Sequence, residues 1–121
     1  MRRLPIIAAS VAAVLLMTAP AFAGYGALAH DDDSGKYGLS SNEETQSKAD
    51  DVAMKECGSD KCKIVFRTRP KQCGAIAVAE QGNAWGAAYR PARDAAALAA
   101  MNDCQKRTKV QCKVHSAECN R

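Results

Sequence analysis

Six cysteines, two histidines, one acidic run and two basic clusters are the residues of this chain whose types and spacing suit chemistry. The cysteines are Cys57, Cys62, Cys73, Cys104, Cys112 and Cys119, an even number. Cys57-x4-Cys62 is not the C-x-x-C of a thiol redox centre. Zinc ligation would need reduced thiols, so a disulfide framework is the expected use. His30 borders Asp31-Asp32-Asp33-Ser34-Gly35, and His115 lies near the end of the chain. A histidine base needs a partner and a pocket. No G-x-S-x-G elbow, H-E-x-x-H pair or phosphate loop accompanies either one. The acidic run does not fit a calcium loop, because Gly35 and Lys36 fall where Asp or Asn and then Gly are required, and Asn42 falls where Glu is required. It reads as a solvated hairpin turn. Arg67, Arg69 and Lys71 alternate ahead of Cys73, a pattern suited to docking an acidic partner. Lys106, Arg107 and Lys109 form the second basic cluster, which a helix dipole explains without a partner. Trp85 and Tyr89 complete the candidate binding residues in a chain that is only 5% aromatic. No catalytic residue, metal or cofactor is implied.

These residues are positioned by a duplication. Tyr25-Gly26-Ala27-Leu28-Ala29 returns 48 positions later as Cys73-Gly74-Ala75-Ile76-Ala77. Tyr37-Gly38 returns as Trp85-Gly86, Met54-Lys55-Glu56-Cys57 as Met101-Asn102-Asp103-Cys104, and Cys62-Lys63-Ile64-Val65 as Cys112-Lys113-Val114-His115. Matches in fixed order with small drift mark two structural repeats, here 24–71 and 72–121. Each repeat reads as β-β-α-β. Residues 24–30 and 36–40 form a hairpin, and the S-x-x-E box at Ser41–Glu44 caps a helix that Gly58 stops. A strand over 61–68 follows, with Cys62, Ile64 and Phe66 on one face. In the second repeat, strands over 72–79 and 84–89 precede an Ala-rich helix over 92–105, opened by Pro91, and a strand over 110–119. The fold class is therefore α+β: a mostly antiparallel sheet, or two half-sheets about a pseudo-twofold, with two packed helices. Gly26, Gly38, Gly74 and Gly86 at matched strand positions indicate close backbone approach.

The duplication also selects among the 15 connectivities that six cysteines allow. Cys57 with Cys62, and Cys104 with Cys112, each join a helix end to the next strand. Cys73 and Cys119 remain as a pair and close the longest loop.

Residues 1–23 read as a signal peptide. Arg2 and Arg3 precede an apolar run over 4–17, and Pro20-Ala21-Phe22-Ala23 supplies a cleavage site after Ala23. Loss of Arg2 and Arg3 takes the formal charge from +4 to +2. That balance does not suggest nucleic acid or an anionic membrane as partner. No membrane span is expected after cleavage, and residues 24–121 are the length of one small domain.

Tyr25–Ala29, Tyr37–Gly38, Glu56–Gly58, Cys62–Val65, Cys73–Val78, Trp85–Gly86 and Cys119–Asn120 together resemble the bacterial family called domain of unknown function 4189. The resemblance spans nearly all of residues 24–121 and implies a small exported protein. It implies no shared activity, so no site residue is carried over. Tyr stands at Tyr25 and Tyr37, where many members have Trp. The expected function is non-catalytic binding in the periplasm or outside the cell, with an envelope or extracellular protein among the partners to consider. The alternatives are a small secreted hydrolase using His115 or His30, and a purely structural envelope or stress protein.

Overall fold

A computed structural model describes residue 3 and residues 23–121. Apart from residues 3 and 23, the signal peptide read over 1–23 lies outside the described residues. The elements follow in the order β1 (Tyr25–His30), β2 (Tyr37–Glu43), α1 (Gln46–Cys57), β3 (Lys63–Thr68), β4 (Cys73–Ala79), β5 (Trp85–Arg90), α2 (Arg93–Gln105) and β6 (Cys112–Cys119). This is β-β-α-β twice. Of the two arrangements open to such a chain, it adopts the half-sheets: β2-β1-β3 and β5-β4-β6, antiparallel throughout.

Alternation along the central strands explains the layering. Ala27 and Ala29 of β1 face α1, packing with Ala49, Ala53 and Cys57. Leu28 points the other way and meets Leu39 and Ile76, the last from the second repeat. Ala75, Ala77 and Ala79 of β4 face Ala96, Ala100 and Cys104 of α2. The order through the molecule is thus helix, sheet, sheet, helix. Period-two alternation puts alanine on the helix side and larger residues between the sheets.

The small residues let the helices come close. A β-carbon added at Gly38 would lie 2.1 Å from the Ala53 carbonyl oxygen, and one at Gly86 would lie 2.1 Å from the Cys104 nitrogen. Each helix backbone therefore rests directly on the second strand of its own repeat. Gly26 and Gly74, also matched, serve different neighbours: the Thr68 hydroxyl for Gly26 and the Phe66 ring for Gly74.

Three local expectations are corrected. First, Ile64 and Phe66 do not share a face. The β1–β3 register steps from Leu28↔Phe66 to Ala29↔Ile64, which leaves Val65 as a bulge. Ile64 joins the α1 side and Phe66 the space between the sheets. β6 has the matching step around His115. Second, the S-x-x-E box does not cap α1. Ser41 and Asn42 remain in β2, held by bonds to Glu118 and Asn120, and the cap is Thr45, whose Oγ1 accepts from the Lys48 N–H at 3.1 Å. Third, Pro91 lies one residue ahead of Ala92, the N-cap of α2. Gly58 ends α1 in the left-handed conformation at φ 73°. Thr45→Ala is expected to lower the unfolding free energy by about 1 kcal/mol in a denaturant melt. Glu44→Ala, which removes the acid of the box and otherwise touches only an exposed pair with Lys48, should leave the melt at the wild-type midpoint. The reverse ranking would restore the box.

The disulfides are Cys57–Cys62, Cys104–Cys112 and Cys73–Cys119. The first two join each helix end to the beginning of the following strand. Cys73 and Cys119 are register partners on β4 and β6.

Candidate functional site: the open seam between β3 and β5

Two face-to-face three-stranded sheets have two lateral seams. β2 faces β6 along one, and β3 faces β5 along the other. The duplication makes these seams equivalent, but their contents differ.

The β2/β6 seam is closed by polar bonds. The Asn42 N–H donates to Asn120 Oδ1 at 2.9 Å, and Asn42 Oδ1 accepts from the Arg121 N–H at 2.7 Å. The Ser41 hydroxyl donates to Glu118. Asn120 Nδ2 reaches across to Thr68 and to the Arg69 carbonyl. This clasp depends on an extra residue. The β1–β2 register passes from Ala27↔Ser40 to Tyr25↔Glu43, so Ser41 and Asn42 both stand opposite Gly26. Asn42 has φ 56°, a conformation asparagine adopts more readily than most residues. The second repeat has no such insertion: Gly74 faces Tyr89 alone, in an unbroken register.

Tyr89 therefore fills the corresponding place in the β3/β5 seam, where its ring tilts against Phe66 at 5.3 Å between centroids. The seam opens into a cleft of about 570 Å³ lined by Val65, Phe66, Tyr89, Arg90, Asp103 and Lys106, among others. Val65 is 43% exposed and Tyr89 44%. Asp103 accepts from the Ala87 N–H at 3.1 Å and occupies a donor of the β5 edge. A second depression, of about 450 Å³, adjoins the cleft at Tyr89 and is lined by Gln46, Arg67, Arg69, Gln72 and Tyr89.

The five binding candidates divide accordingly. Arg67, Arg69 and Tyr89 come together at this depression. The Arg67 guanidinium holds Asp50 by Nε and Nη2, at 3.0 and 2.9 Å to Oδ2. Lys71 is exposed in the β3–β4 turn at φ 66° and does not line the depression. Trp85 lies elsewhere, half-buried between the sheets. It stacks on His30 at 3.8 Å between ring centroids, and the Arg107 guanidinium lies over its ring at 5.2 Å. Gln46 and Gln72 also line the depression, and nothing in their spacing marks them, since they are far apart in sequence and side-chain amides carry no motif. Phe66 parts from Ile64, against simple alternation, because the Val65 bulge is set by pairing with β1.

The histidines occupy different settings. His30 is 4% exposed beneath Trp85, with Nδ1 3.0 Å from Asp32 Oδ1. His115 is exposed at its bulge, with the Tyr37 ring 6.2 Å away.

The acidic turn is more than a solvated loop. Asp31 is 3% exposed. Its carboxylate accepts from the Ser34 and Ser59 hydroxyls, both at 2.7 Å, and from the N–H groups of Asp33 and Ser34. It therefore ties the first hairpin to the α1–β3 connection. The Ser34 hydroxyl, then the Ser59 hydroxyl, then the two N–H groups hold its pKa far below the usual carboxylate range, against the opposing effect of burial. A depressed folded-state pKa gives stability that is full above the ordinary carboxylate value and lost as pH falls below it. Wild type should thus lose denaturant resistance progressively below about pH 4, and Asp31→Asn should show a flatter profile there. Parallel profiles for the two proteins would rule out this role for Asp31.

The fold and its open seam define a class: small disulfide-stapled α+β proteins built of two β-β-α-β repeats with a surface cleft. The chain belongs to the family described as Domain of unknown function (DUF4189), which it matches over residues 25–119. The solved NMR structure of Rv1813c from Mycobacterium tuberculosis is similar, with a TM-score of 0.57 and 27% sequence identity. The similarity covers 86% of this chain and 81% of that one. No curated protein matches the chain.

Proposed function

We propose that this protein is a non-catalytic binding module that works in the periplasm or outside the cell, exported by residues 1–23, and that it engages its partner at the β3/β5 seam. The observation that carries this reading is the asymmetry of the seams. One is shut by the Asn42–Asn120 clasp, while its equivalent exposes Val65 and Tyr89 beside a cleft of about 570 Å³. Exposed aromatic and apolar residues beside cationic ones are the composition of an interaction surface. The three disulfides support work in an oxidising compartment. Among the described residues no helix is long and apolar enough to cross a membrane.

The test uses protein lacking residues 1–23, immobilised and exposed to envelope and culture-medium fractions. A component retained by wild type should also be retained by His30→Ala and His115→Ala but lost by Val65→Asp, which places a charge in the cleft. The hydrolase alternative rests on the His30–Asp32 contact. A turnover activity abolished by His30→Ala or His115→Ala would establish it in place of binding. The burial of His30 under Trp85 favours a packing role for that ring.

A further inference from the structure

The depression beside Tyr89 holds a complementary set of groups for one kind of ligand. Its net charge is one positive. Arg67 is neutralised by Asp50, and among the described residues no carboxylate pairs with the Arg69 guanidinium. The Arg69 backbone is fixed at both ends: its N–H donates to Gln72 Oε1 at 2.8 Å and its carbonyl accepts from Asn120 Nδ2 at 3.0 Å. The two glutamines are each held by one end. Gln46 spends Nε2 on the Gly26 carbonyl and Asp50, which leaves Oε1 as an acceptor. Gln72 spends Oε1 on Arg69, which leaves Nε2 as a donor. The wall is the Tyr89 ring, held by Phe66.

We infer that this depression binds an acidic sugar, a pyranose bearing one carboxylate, as a unit of a uronic-acid polymer. The inference rests on the non-catalytic binding reading and names its ligand. A guanidinium fork matches a planar carboxylate with two parallel hydrogen bonds. One fixed acceptor and one fixed donor match sugar hydroxyls, each of which can do both. A sulfate or phosphate-monoester dianion has no O–H to donate to Gln46 Oε1. The Tyr89 face suits the apolar C–H face of a pyranose, and about 450 Å³ accommodates one to two sugar units. An acidic peptide without proline or aromatic residues would satisfy Arg69 but has no ring to lay against Tyr89.

The experiment is a titration of isotope-labelled protein lacking residues 1–23 with digalacturonate, followed by amide shifts. Parallel titrations use neutral digalactose, a short Glu-containing peptide and sodium sulfate. Digalacturonate should produce saturable shifts at Arg69, Gln72 and Tyr89. The other three should bind at least about tenfold more weakly, digalactose because it lacks the charge-assisted pair with Arg69, and the peptide and sulfate because they lack the ring against Tyr89 and the sugar hydroxyls. Arg69→Gln and Tyr89→Ala should each weaken digalacturonate by a similar factor, and Arg69→Gln should melt as wild type because the bonds at residue 69 are made by its backbone. Arg69→Lys should also weaken binding, since it keeps the charge without the fork. Equal affinity for the neutral sugar, the peptide or sulfate would overturn the assignment, as would no saturation or an Arg69→Gln variant that binds as wild type. If digalacturonate does not bind while Val65→Asp still abolishes capture of a partner, the ligand assignment fails and the binding reading stands.

Discussion

Gly38→Ala and Gly86→Ala are each expected to destabilise the protein by about 3 kcal/mol or more, the upper range for overpacking, and to lower its melting temperature by more than about 10 °C. Local preference predicts the opposite sign, because glycine inside a strand is about 0.5–1 kcal/mol worse than alanine. Packing decides the outcome. The new methyl group at residue 38 would meet the Ala53 carbonyl and the Cys57 nitrogen, and the one at residue 86 the Cys104 nitrogen and the Ala100 carbonyl. These are helix backbone atoms, which cannot rotate aside as a side chain can. Relief would require α1 or α2 to lift from its alanine-lined strands, losing the burial of Ala49 and Ala53 or of Ala96 and Ala100. Gly82→Ala is the comparison. Its φ of 81° strains alanine but nothing lies within 4 Å, so the cost should stay near 1 kcal/mol. Calorimetry of the three variants ranks the effects. Melting of Gly38→Ala at or above the wild-type temperature would mean that the helices do not rest on these strands.

Removing the Cys73–Cys119 bridge as a double alanine variant should cost about 4 kcal/mol, by the chain-entropy relation for its long loop. The same relation gives about 2–3 kcal/mol for Cys57–Cys62 or Cys104–Cys112, whose partners are 5 and 8 positions apart against 46 for the long bridge. With total stability typically 5–15 kcal/mol, the long bridge accounts for a large part of it. The bridge joins register partners at the ends of β4 and β6, next to the Asn120 clasp. Its loss should therefore also loosen the β2/β6 seam, with faster hydrogen exchange at Asn42. Denaturant unfolding of the three double variants under identical conditions gives the order. A short-bridge variant less stable than the long-bridge one would show that native contacts outweigh loop entropy here.

Much of the architecture could be read along the chain. The duplication relates both hairpins, both helices and the helix-end cysteines, because those features are local and recur in order. The matched glycines also carried a readable message of close approach, though not its object. Ser41 and Asn42 resemble a helix start by spacing, but they stay extended because Glu118 and Asn120 hold them across the seam. Asp31 reads as a solvated acid and is buried, because Ser59 arrives from a distant loop to satisfy it.

The candidate site was legible only in part. Arg67, Arg69 and Tyr89 stand out by charge alternation and aromatic scarcity. Their meeting depends on how the two sheets face each other, which no spacing encodes. Lys71 belongs to the same alternation but is carried away by its left-handed turn, and Trp85 by stacking on His30. Gln46 and Gln72 enter only because the end of β3 brings them beside each other.

By itself the sequence determined the α+β class, the repeated β-β-α-β order and the family, since periodicity and duplication are properties of neighbouring residues. Only the tertiary structure decided that the strands form two facing sheets, that Val65 and His115 are bulges, and that one seam is shut and its equivalent open. The physical reason is that strand register and sheet packing are set by partners distant in the chain. A single additional residue at Asn42 reverses what the duplication implies for the two seams.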